Sequence, residues 1–286
     1  MNDSADSGER RLSVTIITPS FNQGRYLLET LRSVANQDYP DVQHIVMDGG
    51  STDGSAELLE AWARSHEIVW QSQPDGGQAA AIQAGIERAR GDIVAWLNSD
   101  DLYLDAGVIS DVVELFRAGA DAVTGAGWYI SESGERTKKI PVLDRRLDFD
   151  ALRGVDWILQ PATFFRRDVL LRFPIDTSLT FAFDWDLFIR MAREITFTPI
   201  DRHIAGYRLH PSGKSISGAG RRKRELLDVA GRYNSRGSTR YRLMRMLVRG
   251  YERADAFPRP LNRTRSVFTA VAAVTHKLPG NRGIQF

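Results

Sequence analysis

The sequence predicts an α/β fold: a mostly parallel central sheet with helices on both faces, followed by a basic helical tail. Three observations carry that prediction. Strand-like and helix-like runs alternate four times within about the first hundred residues, the connections between them are short, and the strand-like runs empty into polar loops. In open sheets of this kind a ligand sits beyond the carboxyl ends of the strands, so Ser20, Asn22, Asp48, Asp75 and Asn98 to Asp101 can share one crevice.

Each element has its own signal. Residues 13–18 (SVTIIT) form a β-branched run closed by Pro19, which reads as a buried strand. Tyr26, Leu27, Thr30, Leu31 and Val34 then recur at helical spacing, and Tyr39-Pro40-Asp41 stops that segment. Residues 42–47 (VQHIVM) form a second strand that delivers Asp48. The loop from Gly49 to Gly54 leads into a helix over 56–64, and residues 68–70 make a short third strand. Pro74-Asp75-Gly76-Gly77 precedes an Ala-rich helix over 79–89, and a fourth strand over 93–97 runs into Asn98-Ser99-Asp100-Asp101. Further on, the pattern predicts a helix over 111–118, a strand over 122–130 with a polar hairpin at 131–137, and a strand within 157–165. A helix over 183–193 opens with Asp184 and Asp186, a strand covers 202–209, and the Gly/Ser-rich stretch after it reads as a mobile loop.

Composition narrows the class. The 286 residues are 42% hydrophobic and 26% charged with no Cys, which excludes disordered, collagen-like, disulfide-stapled and zinc-thiolate proteins. The opening MNDSADSGERR is polar, so no secretory signal is expected. No run approaches the ~20 apolar residues of a membrane span. The net charge of +2 hides an asymmetry: residues 221–286 hold 16 Lys/Arg against 4 Asp/Glu, whereas residues 1–220 hold 22 against 32. We therefore expect a polar, disordered leader over 1–12, an acidic α/β body over 13–220 and a basic helical extension over 221–286. Such a tail fits an anionic membrane surface or the acidic body itself. Nucleic acid is not an expected partner, because the tail follows no known reader pattern and its aromatics are few.

The chemistry lies in the acids. Asp100 in Asn98-Ser99-Asp100-Asp101 offers hard oxygen to a divalent cation, and Asp48 and Asp75 precede it at neighbouring strand ends. Three acidic loops around one crevice repel one another unless a cation intervenes, and Mg²⁺ or Mn²⁺ held by few carboxylates plus substrate phosphates resolves this. The chain has neither GxxxxGK[ST] nor GxGxxG. Gly76-Gly77 ahead of a helix could bring backbone N–H groups to a phosphate, or form a plain turn. Asp53 reads as the N-cap of the helix that follows it.

Six blocks also resemble a known family: residues 16–22 (IITPSFN), 37–40 (QDYP), 47–54 (MDGGSTDG), 75–78 (DGGQ), 96–101 (WLNSDD) and 183–187 (FDWDL). In order and spacing they are similar to the family 2 glycosyltransferases across about 200 residues. The resemblance implies a GT-A fold, a nucleotide-diphosphate sugar donor, a divalent metal, and inversion at the anomeric carbon. It implies that Thr18, Pro19, Ser20 and Phe21 line the nucleotide pocket, that Asp48 bonds the base, and that Asp75 and Gln78 lie on the donor side. Asn98, Ser99 and Asp100 stand where the family's Asp-x-Asp metal motif lies, with Asp100 the direct ligand and Asn98 a neutral hydrogen-bonding group. Asp184 corresponds to the family's base, which takes the acceptor proton. The preceding Glu of that motif is Phe183 here, which leaves Asp184 without an acidic neighbour in the sequence. Asp186 competes for the role, but two residues on a helix point about 200° apart, so both cannot face one substrate. Gln160, Trp185 and Asp186 fall on the acceptor side, and His210 and Lys214 could reach the metal or diphosphate.

These residues imply a cytoplasmic enzyme, peripheral on the inner face of the membrane, whose acceptor is a glycan or a lipid-linked hydroxyl in surface-polysaccharide synthesis. In the tail, Tyr241, Met244, Leu247, Val248 and Tyr251 share a helical side and Arg242, Arg245, Arg249 and Arg253 much of the remainder, a pattern compatible with an interfacial helix. Two rivals stay open: a sugar nucleotidyltransferase, which would want a basic Gly-rich loop after the first strand, and a non-catalytic sugar-nucleotide sensor, which Asn98 and Phe183 favour.

Overall fold

A computed structural model of the chain describes residues 10–142, 147–154, 156–214, 219–235, 237–239, 241–242 and 245–246. Strand β1 (Val14–Ser20) pairs in parallel with β2 (Val42–Asp48) on one side and β4 (Ile93–Trp96) on the other, and β3 (Val69–Ser72) extends the parallel set beyond β2. Beyond β4 the sheet turns mixed. β8 (Thr163–Arg166) and β6 (Ala122–Ile130) join it antiparallel, β9 (Phe197–Arg208) pairs in parallel with β6, and β5 (Leu102–Tyr103) closes that edge. β7 (Arg136–Ile140) forms a hairpin with β6. The order is β3-β2-β1-β4-β8-β6-β9-β5.

Why the central strands read as continuous apolar runs follows from burial on both faces. Side chains alternate across a strand. Ile17, Val94 and Trp96 enter one core with Ile82 of helix α3 (Gln78–Arg88) and Phe188 of helix α7 (Phe183–Met191). Ile16, Ala95 and Leu97 enter another with Val113 and Phe116 of helix α4 (Val108–Arg117). Gly85 of α3 sits where a Cβ would stand 2.5 Å from Ile17, so the helix lies directly on β1. Under α7 an aromatic cluster of Trp96, Phe165, Phe188 and Phe197 ties that helix to β4, β8 and β9, with Phe188 5.9–6.3 Å from the other three rings. Truncating such a ring costs ~3–5 kcal/mol.

Most elements stand where the pattern puts them. Helix α1 (Gly24–Ala35) buries Tyr26, Leu27, Thr30, Leu31 and Val34, the five residues its periodicity selects. Helix α2 (Ser55–Ala63) and β6 also match. Four boundaries differ. β1 runs through Pro19 to Ser20, because Leu97 N–H bonds Ile17 O and Gly49 N–H bonds Ser20 O, so Pro19 faces the side on which β4 has already ended. Helix α4 starts at Val108 rather than 111. The expected strand over 157–165 is a 3₁₀ turn (Gln160–Ala162) followed by β8. β9 starts at Phe197 rather than 202, with Pro199 accommodated beside a register shift opposite Thr124 and Ala126.

Two short helices, α5 (Phe149–Leu152) and α6 (Arg167–Leu170), precede α7, and helix α8 (Ala219–Tyr233) opens the basic tail. Over its described residues α8 packs on the acidic body: Arg232 bonds Asp176 at 2.8 Å and Asp186 at 3.2 Å, and Val229 and Ala230 enter the core. Most of the expected leader and residues 244, 247–249, 251 and 253 of the expected interfacial helix lie outside the described residues. So do residues 215–218 of the loop before α8.

Candidate active site

The tips of β1 and β4, the loop after β3, the start of α7 and one side of α8 surround a cleft of about 820 Å³, within the range of ligand-binding pockets. Its polar floor is the β4 tip. Asn98 Oδ1 accepts Gln78 Nε2 at 2.7 Å, and Asn98 Nδ2 donates to Gln160 Oε1 and Asp101 Oδ2. Gln160 in turn donates to Trp96 O. Asn98 is thus the hub of a neutral network, the role its amide allows where a second carboxylate would repel Asp100.

Asp100 and Asp101 divide in function. Asp101 is 2% exposed, and its Oδ1 accepts Arg208 N–H at 2.9 Å. Burial and the Asp100 charge hold the Asp101 carboxyl well above the usual carboxylate range. Asp100 faces the cleft, with Oδ2 held 3.0 Å from His210 Nε2. Asp100 O accepts Arg208 Nε, and Arg208, fully buried, also reaches Glu29, Ser131 and Glu132. His210 spends Nδ1 on Ser212 at 2.9 Å and packs 4.6 Å from the Tyr26 ring. Both ring nitrogens are engaged, and Nε2 holds Asp100 at the cleft wall.

The donor-side residues separate in the same way. Pro19, Ser20, Phe21, Asp75, Gln78, Asn98, Ser99 and Asp100 all line the cleft. Phe21 is 62% exposed, and Ser20 Oγ is buried with no hydrogen-bond partner among the described residues. Thr18 does not line it: fully buried, it bonds His44 Nε2 at 2.9 Å within the sheet. Asp48 does not line it either. At 1% exposure its carboxylate accepts Ser51 N–H, Ser51 Oγ and Ser72 Oγ at 2.6–2.9 Å. Asp48 therefore holds the loop that carries Gly49 and Gly50 to the cleft wall rather than presenting itself to a base. Gly50 (φ +81°) makes the turn in the left-handed region, where an added Cβ would also stand only 3.0 Å from Pro74 N. Gly77 N–H is taken by Asp75 Oδ1 at 2.6 Å, so that amide is not free for a phosphate. Asp53 lies one residue before the actual N-cap, Gly54, and bonds Gly24 N–H and Ser55 N–H, joining the starts of α1 and α2.

At the opposite side, Asp184 in the first turn of α7 is half-buried and lines the cleft. Burial raises its pKa, opposed by a hydrogen bond from Trp185 N–H and by the charges of Arg222 and Lys214. Asp186 faces away: at 1% exposure it bonds Arg190, Arg232 and Tyr233. Trp185 is likewise buried and bonds Leu152 O. Neither lines the cleft. Gln160 does line it.

Three cleft residues escape a motif-based reading. Asp156, exposed as a residue, is the acidic neighbour that Phe183 seemed to deny Asp184; desolvation of its carboxyl and the Asp184 charge push it up to about 8. Arg222 and Leu226 come from α8. The only available signal was that α8 is amphipathic. Lys214, which the sequence did single out, bonds Gln78 Oε1 at 3.0 Å and Thr180 O at 2.9 Å and so joins two walls of the cleft.

Among the described residues no three His, Asp or Glu side chains form a ready cation site. Asp100 still fits a shared one: Oδ2 is fixed by His210, Oδ1 accepts no hydrogen bond among the described residues, and Mg²⁺ and Mn²⁺ commonly complete their shell with phosphate oxygens and water.

Residues 15–173 match the family model described as Glycosyl transferase family 2. The chain belongs to that family. Among its relatives, an uncharacterized glycosyltransferase of Nostoc, alr2836, is 26% identical over 223 residues, covering 73% of this chain and 68% of its own. Another, Rv1514c of Mycobacterium tuberculosis, is 39% identical over 103 residues, covering 36% of this chain and 39% of that protein. The match to GlyG of Streptococcus pneumoniae spans 40% of that protein, so this chain matches well under half the length of these two. The fold is that of solved GT-A members: the mannosyltransferase PcManGT of Pyrobaculum calidifontis, in complex with GDP-Man and Mn²⁺, aligns with TM-score 0.62 at 18% identity over 94% of this chain and 82% of that one. Staphylococcus aureus TarS 1–349 with UDP-GlcNAc aligns at 0.61 and 16% identity over 78% and 66%. No helix among the described residues is long and apolar enough to cross a membrane.

Proposed function

We propose that this protein is an inverting glycosyltransferase that moves a sugar from a nucleoside-diphosphate sugar to a hydroxyl of a glycan or lipid-linked acceptor in surface-polysaccharide synthesis. The observation that carries the reading is that Asp100 and Asp184, 84 positions apart in the chain, line one cleft of nucleotide-sugar size. Asp184 takes the acceptor hydroxyl proton as the new bond to the anomeric carbon forms and the bond to the diphosphate oxygen breaks. Its raised pKa suits a base, since a carboxylate that holds its proton more tightly accepts one more readily. Phe21 offers an exposed ring to the donor and Ser20 Oγ a hydrogen bond, while Gln78, held by Asn98, supports the donor side. Asp100 would hold Mg²⁺ or Mn²⁺, which would supply charge stabilisation to the leaving diphosphate. Lys214 and Arg222 bring further positive charge to the cleft.

A thermal-shift screen tests the donor class. UDP or GDP at 100 times its Kd should stabilise the protein by ~2.7 kcal/mol, and more with Mn²⁺ than without. Absence of stabilisation by any nucleoside diphosphate would contradict the reading. Binding without release of nucleoside diphosphate from any donor would instead support a sensor.

A further inference from the structure

The segment that leads into α7 is held from a distance. A helix leaves its first N–H groups without internal partners, and a local Ser, Thr, Asp or Asn commonly supplies an acceptor. Here the N-cap is Ala182, which has none. Glu225 of α8 accepts the backbone N–H groups of the three residues that precede the helix, the N-cap included: Thr180 at 2.9 Å through Oε2, and Phe181 and Ala182 at 2.5 and 2.7 Å through Oε1. Lys214 holds the same segment from its carbonyl side, bonding Thr180 O at 2.9 Å. One turn farther along α7, Tyr233 bonds Asp186 at 2.7 Å. Helix α8 therefore grips α7 on both sides of Asp184, while Arg222, three residues before Glu225, lines the cleft.

We propose that Glu225 is the positioning residue for Asp184, and that α8, which lies beyond the residues matching the family, is an integral part of this active site. The proposal rests on Asp184 being the base. Asp184 lies two residues after the last N–H that Glu225 holds. Without the carboxylate these three donors lose their acceptor, the turn reorganises, and the base shifts against the acceptor oxygen. A displacement near 1 Å costs on the order of 10²-fold in rate.

The test uses the full chain and follows release of nucleoside diphosphate from UDP- and GDP-sugars with Mn²⁺, water standing in for the acceptor hydroxyl. Active sites are counted by nucleoside-diphosphate binding. Glu225→Ala should lower kcat by ~10²-fold with donor KM within ~3-fold of the parent. Glu225→Gln, which keeps the length and one acceptor oxygen, should recover most of that loss. Glu225→Asp, which keeps the charge but withdraws it by one methylene, should not. A merely structural role would lower Tm and the number of active sites and leave kcat per site unchanged. If Glu225→Ala does not fold, Glu225→Asp decides: kcat equal to the parent overturns the proposal. Asp184→Asn is measured alongside. If it turns over normally, the base assignment fails; if it is inactive while Glu225→Ala and Glu225→Asp keep full kcat per site, only the role of Glu225 fails.

Discussion

The β4 tip and the α7 start each carry two acids, and each leaves one accessible and buries the other, Asp101 in the cleft floor and Asp186 away from the cleft. At the strand tip Asp100 is open and Asp101 buried; on the helix Asp184 is open and Asp186 buried. The means differ. Asp100 and Asp101 are ordered by the body of the fold, through Arg208, His210 and Asn98 at the ends of adjoining strands and loops. Around Asp184 and Asp186 the contacts come from α8, a helix from the far end of the described chain: Arg232 and Tyr233 bond Asp186, and Glu225 bonds the segment before Asp184. Two acidic motifs that look alike in sequence thus differ in support, and under the proposed function they make a self-contained donor end and a composite base end.

The sharpest way to separate the two ends is to neutralise one acid at each. Asp184→Asn should lower sugar transfer by ~10³-fold while donor affinity stays within ~3-fold, because the base acts only as the acceptor bond forms. Asp100→Asn should lower turnover comparably but also abolish the extra stabilisation that Mn²⁺ gives to nucleoside-diphosphate binding. Equal effects of both substitutions on binding would break the division.

A smaller effect concerns pH at the base end. Burial raises the Asp184 pKa, so the acidic limb of kcat should lie above the ordinary carboxylate value of ~4. Asp156 adds a stability signature. Its folded pKa is raised to about 8, so its favourable contribution is complete below the unfolded value of ~3.9 and is lost as pH rises towards 8. Asp156→Asn should therefore match the parent's Tm near pH 4 and exceed it near pH 9. A Tm difference independent of pH would contradict the pairing of Asp156 with Asp184.

The smallest effect on activity belongs to the scaffold beneath the donor end. His44 is 5% exposed and burial lowers its pKa to about 4, so the fold excludes its charged form. Its contribution is present above the unfolded value of ~6.5 and lost as pH falls towards 4, a loss of ~3 kcal/mol over that window. His44→Gln should flatten the fall of stability between pH 6.5 and 4. An unchanged slope would contradict a neutral buried His44.

How much of this was legible in the sequence follows the same division. The four parallel strands, α1 with its five buried residues and the cleft positions of Asp75, Asp100 and Asp184 could be read because apolar period and strand-end loops are local signals. Side-chain direction at strand ends was not. Thr18 lies next to Pro19 yet points to His44, and Asp48 sits at a strand tip yet is consumed by Ser51 and Ser72. Whether such an acid serves a ligand or its own loop depends on neighbours 24 residues away. The start of β9 was obscured by Pro199, which a register shift absorbs. Glu225 and Asp156 stayed hidden because their partners are backbone amides and carboxylates distant in sequence.

The central claim, that one cleft joins a diphosphate at the β4 tip to a base on α7, is tested most directly by a crystal structure of the chain with a nucleoside-diphosphate sugar and Mn²⁺. The account predicts the diphosphate at Asp100 and the anomeric carbon on the side of Asp184. A donor bound elsewhere, or one whose anomeric carbon turns away from Asp184, would contradict it.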